Sequence, residues 1–185
     1  VIVTNTFGAN RPERFYRLGV RIAKEAAGSK VKVFASIGPG STDFSQQVRA
    51  LEKEKPDGYL VETMTSLGEA EATAKAVREI SRRSLIVSFA PHAEISSTKK
   101  LRQLGADLIG VNCGGAGGPK EVHASLQALA LIDPGPFCAR PAACARATCT
   151  TSTSSARPGA TRCAITCAPP ASGATTAASG ADMTT

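Results

Sequence analysis

The chain has no tryptophan, and aromatic residues make up only 4% of it. So few rings leave little on which nucleic-acid bases could stack, and the net charge of +7 is not read as a nucleic-acid footprint. The basic residues stand as Arg82-Arg83, Lys99-Lys100 and scattered helix positions, the pattern of solvated faces. No uncharged run approaches the roughly 18 apolar residues of a membrane helix, so no membrane partner is expected. Val1 already opens an apolar run, with no initiator Met, charged n-region or apolar h-region before it. The expectation is a cytoplasmic chain whose N-terminus is a cut rather than a natural start. Histidine is scarce as well. His92 and His123 stand apart with no third partner for a nucleophile–base arrangement, and both read as surface residues.

Cysteine is scarce where folded structure is expected. Only Cys113 precedes residue 137; the others are Cys138, Cys144, Cys149, Cys163 and Cys167, with no adjacent pair and no Cys-x-x-Cys spacing among them. That spacing and a cytosolic setting disfavour a disulfide or metal module in this region.

From Val1 to about Asp133, apolar runs alternate with amphipathic helical patterns. The strand candidates Val1–Thr4, Val31–Ser36, Gly58–Val61, Ser84–Phe89 and Leu108–Val111 start 30, 27, 26 and 24 residues apart, the period of repeated βα units. Helical spacing is predicted over Arg14–Ala27, Ser45–Glu54, Glu69–Arg82, Ser97–Leu104 and Glu121–Leu131. In the first of these Phe15, Leu18, Ile22 and Ala26 share a face, expected to be the buried one. Strands apolar along their whole length indicate a parallel sheet covered on both sides. The fold class is therefore α/β, with about five βα units. At 185 residues the chain falls short of the roughly 250 of a complete (β/α)₈ barrel, so a partial barrel is expected.

From Pro134 to Thr185 the pattern stops. The segment has no Leu, Val, Lys or Glu, and Ile165 is its only aliphatic β-branched residue. Such a composition cannot bury enough apolar surface to offset the entropy of ordering it. The division expected is a partial barrel over 1–133 and a disordered Ala/Thr/Cys-rich tail over 134–185. Three origins compete for the tail: a natural low-complexity segment, a small disulfide or metal module, and an out-of-frame translation of a GC-rich gene. The abrupt loss of apolar periodicity favours the last.

The residues with chemistry lie just after the strands, where parallel barrels build their sites. They are Thr4-Asn5-Thr6-Phe7-Gly8-Ala9-Asn10, Ser36-Ile37-Gly38-Pro39-Gly40, Glu62-Thr63-Met64 and Asn112-Cys113-Gly114-Gly115. Each alone is unremarkable turn chemistry. Cys113 alone reads as packing, and Met64 as core or loop packing. A carboxylate at Glu62, ending an apolar strand, is costly unless it faces a polar site or a hydrogen bond. The Gly114–Gly118 run could approach an anion at the next helix, although a flexible loop is its commoner meaning.

Taken in order, these motifs resemble the homocysteine S-methyltransferase family, over roughly residues 1 to 132. Thr4-Asn5-Thr6-Phe7-Gly8-Ala9-Asn10-Arg11 is similar to that family's TNTFGANR loop, and the next three strings match its later signatures in sequence. This variant of the loop is most similar to methionine synthase and to methyltransferases fused to a methylenetetrahydrofolate reductase. The resemblance implies a zinc-dependent (β/α)₈ barrel that methylates the sulfur of homocysteine to give methionine. It implies that Cys113 is the first of three zinc-binding cysteines, the other two being an adjacent pair in a later GGCCG motif. It implies that Glu62 holds the substrate's amino group, and that Asn112 and, more loosely, Asn5 and Thr6 line the same mouth. The partners implied are homocysteine and a methyl donor: methylcobalamin, S-methylmethionine, S-adenosylmethionine or betaine. Zinc would stabilise the thiolate of a substrate whose thiol, with a pKa near 8.5, is otherwise mostly protonated.

The departures are equally specific. The family's first strand, with its Asp-Gly loop, has no counterpart, and the chain contains no Cys-Cys pair. The expectation is an incomplete chain that neither holds zinc tightly nor turns over. Two other readings stay open: a non-catalytic remnant, and a half-barrel binding a phosphate ligand through Gly114–Gly118.

Overall fold

The computed structural model describes residues 1–113, 118–141 and 162–163. Strands and helices alternate: β1 (Ile2–Val3), α1 (Glu13–Ala27), β2 (Val33–Ile37), α2 (Phe44–Glu52), β3 (Gly58–Ser66), α3 (Leu67–Ile80), β4 (Ser84–Glu94), α4 (Lys99–Gln103), β5 (Leu108–Cys113) and α5 (Gly118–Leu129), followed by β6 (Phe137–Pro141) and β7 (Arg162–Cys163). The strands form one sheet in chain order, and every neighbouring pair is parallel. The order never reverses, unlike that of a doubly wound sheet. This is one sector of a (β/α)₈ barrel, the partial barrel that the βα spacing implied.

The five expected strands appear where the apolar runs lie, with β3 and β4 reaching further, to Ser66 and Glu94. The sheet does not stop at Asp133. β6 continues it inside the segment whose composition shows no strand period, pairing Gly110 with Cys138 and Asn112 with Arg140. The room for β6 comes from Gly110: a Cβ there would stand 1.9 Å from the Cys138 carbonyl oxygen. The remaining cysteines of that segment, and the Gly114–Gly117 part of the glycine run, lie outside the residues whose side chains are described.

Alternation along the strands separates two apolar layers. Tyr59 and Val61, Leu85, Val87 and Phe89, and Ile109 and Val111 face the helices, where they pack in one cluster with Val48, Leu51, Ala74, Val77 and Leu101. Each such side chain contributes about 1.5–3 kcal/mol by leaving water. On the alternate positions Leu60, Ile86 and Cys138 form a second cluster, with Val3, Phe34 and Leu108 packed against it. That second layer is the inner face of the sector. Asp57 and Asp107 each accept the backbone N–H at the start of the preceding strand, Val33 and Leu85 respectively, both at 2.8 Å.

α1 buries a different face from the one expected. Tyr16, Val20, Ala23 and Ala27 turn inward, while Leu18 and Ile22 are 53% and 57% exposed. Both stripes have helical spacing. The smaller one lets the helix lie close to the sheet, and the Tyr16 hydroxyl fixes the choice. It donates to the Gly8 carbonyl and accepts from the Arg11 N–H, both at 3.0 Å. The loop after β1 is therefore pinned to α1 by a residue outside its own motif.

Candidate functional site

Inner-face polar residues gather at the carboxyl ends of β2 to β6. Ser36, Glu62, Ser88, Asn112 and Arg140 occupy successive strands on the alternation that carries Leu60 and Ile86 lower down. They lead into a cavity of about 440 Å³ lined by Phe7, Glu62, Thr63, Asn112, Cys113 and Arg140 among others.

Asn112 organises the floor. It is buried, 3% exposed, and uses both ends of its amide. Its Oδ1 accepts from the Thr63 N–H at 2.9 Å and from the Ser88 hydroxyl at 2.5 Å. Its Nδ2 donates to Thr63 Oγ1 at 2.7 Å and to Cys113 Sγ at 3.5 Å. A buried amide with its donors and acceptor used is rigid, because each unmade bond would cost about 1–3 kcal/mol.

Thr63 and Cys113 share an unusual backbone. By strict alternation they would follow Val61 and Val111 towards the helices. Both instead adopt left-handed conformations, with φ of +59° and +73°. The turn takes them out of alternation and brings both to the cavity, with Thr63 Oγ1 and Cys113 Sγ 3.8 Å apart. A β-branched residue at positive φ is strained, at a cost on the order of 1–3 kcal/mol, and such strain concentrates at functional sites. His92, near the end of β4, has a φ of +66° as well. It stands at the end of a strand rather than in a loop, and its Nε2 lies 3.7 Å from a Glu121 carboxylate oxygen.

Glu62 is held from two sides. Ser36 Oγ donates to its Oε1, and Arg140 Nη2 donates to its Oε2 as an ion pair. The carboxylate and guanidinium side chains are 13% and 19% exposed. Arg140 had no signal in the sequence beyond sharing its strand's alternation with Cys138, inside a segment not expected to form a strand. Ser88 had one: it is the only polar residue within an otherwise apolar run.

The remaining expected site residues sit differently. Thr6 is fully buried; its hydroxyl donates to the Ser36 carbonyl at 2.7 Å and shares a 2.6 Å hydrogen bond with Thr4 Oγ1. Thr4 Oγ1 in turn accepts the Ser36 N–H at 2.9 Å. Both hydroxyls thus fasten the first loop to the strand end that holds Glu62. Asn5 is exposed, and Phe7 carries this loop's contact with the cavity. Asn10 of the same motif is a clamp to the second loop: Oδ1 accepts from Thr42 N and Oγ1 at 3.0 and 2.9 Å, and Nδ2 donates to the Gly40 carbonyl at 3.1 Å.

Among the described residues no group of three or more His, Cys, Asp and Glu side chains is placed to hold a metal ion. Cys113 is one exposed thiol with no second sulfur or imidazole beside it there, so the described residues do not fit a three-ligand zinc site. A second cleft of about 500 Å³ lies between Ser97 and Pro134. Its carboxylate, Asp133, is saturated by Arg102, Thr98 and the Gly135 N–H, and it has neither a thiol nor a strained strand end. The first cavity is therefore the stronger site.

A family model described as homocysteine S-methyltransferase matches residues 1–171, further than the motif resemblance reached. No curated protein matches the chain. Among solved structures, the chain is similar to the apo form of the homocysteine methyltransferase MmuM from Escherichia coli, with a TM-score of 0.54 and 20% identity over 73% of this chain and 63% of that one. It also matches dihydrodipicolinate synthase from Bacillus clausii, with a TM-score of 0.44 and 14% identity over 69% of this chain and 44% of that one. At such identity the likeness to MmuM concerns the fold, and the chain spans less than two thirds of its length. No helix among the described residues is long and apolar enough to cross a membrane.

Proposed function

The chain belongs to the homocysteine S-methyltransferase family, and on that premise we propose that its cavity is the thiol-substrate end of that family's reaction centre. The observation that carries the reading is the paired strain of Thr63 and Cys113, which Asn112 holds across one cavity at the mouth of the barrel sector. Left-handed backbone at two strand ends persists only where the surroundings over-determine it.

In this reading the substrate sulfur lies beside Cys113 and the Asn112 amide, and Glu62 is the acceptor for an amino group. Ser36 aims Glu62, and Thr4 and Thr6 hold the backbone of Ser36 in place. Asn5 stands at the rim. The reaction of the family is methyl transfer to the homocysteine sulfur, in methionine formation in the cytoplasm, from a donor such as methylcobalamin or S-methylmethionine. Zinc would supply thiolate stabilisation there, and among the described residues Cys113 is the one exposed thiol that could hold it. On this reading the chain binds the thiol, the described residues do not complete a metal site, and no turnover is expected.

Calorimetric titration with homocysteine, zinc added or omitted, tests this. Binding unchanged within about twofold by zinc and weakened about tenfold in Cys113→Ala supports it. Stoichiometric zinc retained through purification, or binding that requires zinc, contradicts it.

A further inference from the structure

An α-amino acid carries its ammonium and its carboxylate on one carbon. A site that holds both therefore needs an anion and a cation as immediate neighbours. The cavity has such a pair. Glu62 and Arg140 are in contact, and among the described residues that line the cavity Arg140 is the one cation. Both side chains are more than four-fifths buried, so water and salt screen their charges poorly.

Neither member of the pair is used up. A carboxylate offers about four lone-pair positions, and Glu62 accepts from Ser36 Oγ on Oε1 and from Arg140 on Oε2. Each oxygen keeps room for an ammonium. Arg140 carries five N–H groups. Among the described residues its one hydrogen-bonding partner is Glu62, through Nη2, and its buried Nε has none. The neutral donors nearby are already engaged. Asn112 Nδ2 donates to Thr63 and Cys113, and the Ser36 and Ser88 hydroxyls donate to Glu62 and Asn112. The guanidinium is the charged donor left for a ligand.

The pair also sorts ligands by charge. An amine without a carboxylate adds a second cation beside Arg140, and an acid without an amine adds a second anion beside Glu62. A zwitterion meets an opposite charge at each end. Like charges brought together in a desolvated site cost more than they do in water. The planar N–H groups of a guanidinium further suit the two oxygens of a carboxylate.

We propose that Arg140 binds the α-carboxylate of the thiol substrate, beside the Glu62 that takes its ammonium, and that this ion pair selects zwitterionic amino acids. The inference rests on the reading that places the substrate sulfur beside Cys113 and its amino group on Glu62. It goes beyond that reading in assigning a carboxylate subsite to β6.

The test is calorimetric titration of the full chain with three thiols: homocysteine, 3-aminopropane-1-thiol, which lacks the carboxylate, and 4-mercaptobutyrate, which lacks the amino group. Homocysteine is expected to bind about tenfold more tightly than either. In Arg140→Gln its affinity should fall to within about threefold of that of 3-aminopropane-1-thiol, while Arg140→Lys, a cation without the fork, keeps part of the preference. In the unaltered chain, 3-aminopropane-1-thiol binding as tightly as homocysteine overturns the carboxylate subsite and leaves the placement of the sulfur standing. 4-Mercaptobutyrate binding as tightly overturns the selection by the pair. A folded Arg140→Gln chain that keeps the full preference for homocysteine overturns the role of Arg140. If Arg140→Gln does not fold, the Arg140 Nε–H resonance of the isotope-labelled chain decides. It should shift with homocysteine and stay in place with 3-aminopropane-1-thiol, and equal shifts overturn the proposal. Homocysteine binding weakened in Arg140→Gln and untouched in Cys113→Ala supports the subsite and overturns the placement of the sulfur. No binding of homocysteine to the unaltered chain overturns both.

Discussion

Arg140 on β6 and Glu62 on β3 form an ion pair although 78 residues separate them in sequence and two strands separate them in the sheet. Across a flat sheet those strands would stand about 14 Å apart, with the two side chains standing off the sheet rather than leaning across it. The contact therefore reports the inward curl of the sector, and it ties β6 to the strand ends of β2 and β3. Because both groups are more than four-fifths buried, removing one leaves the other uncompensated. Glu62→Gln should destabilise the chain by about 2–3 kcal/mol, and the double variant Glu62→Gln/Arg140→Gln should lose less than the sum of the single losses. Denaturant unfolding of all four forms measures the coupling; strict additivity would show that the pair contributes nothing.

Asn112→Ala removes the acceptor of the Thr63 N–H and the Ser88 hydroxyl together with the donor to Thr63 Oγ1. The strained backbone at Thr63 then loses its restraint. Stability should fall by about 2–4 kcal/mol, and affinity for a thiol ligand by at least tenfold. A thermal melt and a titration check the two effects. A variant as stable as the parent would mean that the amide does not hold the turn.

Gly110→Ala should detach β6. The added methyl group would meet the Cys138 carbonyl oxygen at 1.9 Å, which no rotamer change relieves because the obstacle is backbone. The expected cost is about 3 kcal/mol or more, accompanied by faster amide hydrogen exchange at residues 137–140 than in the parent. Unchanged protection there would contradict the assigned strand.

Acid should destabilise the chain below about pH 4. Burial pushes Asp133 up, but hydrogen bonds from Arg102, Thr98 and the Gly135 N–H outweigh it and hold its carboxyl below the ordinary value. Asp57 is also held low, first by the Val33 N–H and then by Lys32. A carboxyl lowered in the folded state stabilises it above the unfolded value near 3.9, and that contribution is lost as pH falls through the folded one. Asp133→Asn should destabilise the chain by about 3 kcal/mol at neutral pH, since Asp133 is fully buried against Arg102, and should flatten the acid limb of its stability curve. An unchanged acid limb would place the titrating groups elsewhere.

The first five strands were legible because each is apolar along its length and recurs at the βα period. β6 was not. Phe137-Cys138-Ala139-Arg140-Pro141 is too short for a period and ends in a proline, and its pairing depends on the missing side chain of Gly110 across the ladder. The face of α1 was ambiguous because Leu18 and Ile22 share helical spacing with Phe15, and the deciding contact is a tyrosine hydroxyl rather than apolar bulk. Glu62, Asn112 and Cys113 could be picked out as strand-end residues with chemistry. The turn that brings Cys113 and Thr63 into one cavity could not, since left-handed backbone at a threonine has no sequence signature. Arg140 was hidden for the same reason as its strand.

The most direct test of the thiol site is chemical-shift mapping of the isotope-labelled chain titrated with homocysteine. Perturbations are expected to concentrate at Glu62, Thr63, Asn112, Cys113 and Arg140, and in Asn112→Ala to need at least tenfold more ligand. Perturbations centred instead on the cleft between Ser97 and Pro134, or none at Cys113 and Asn112 under saturating ligand, would contradict it.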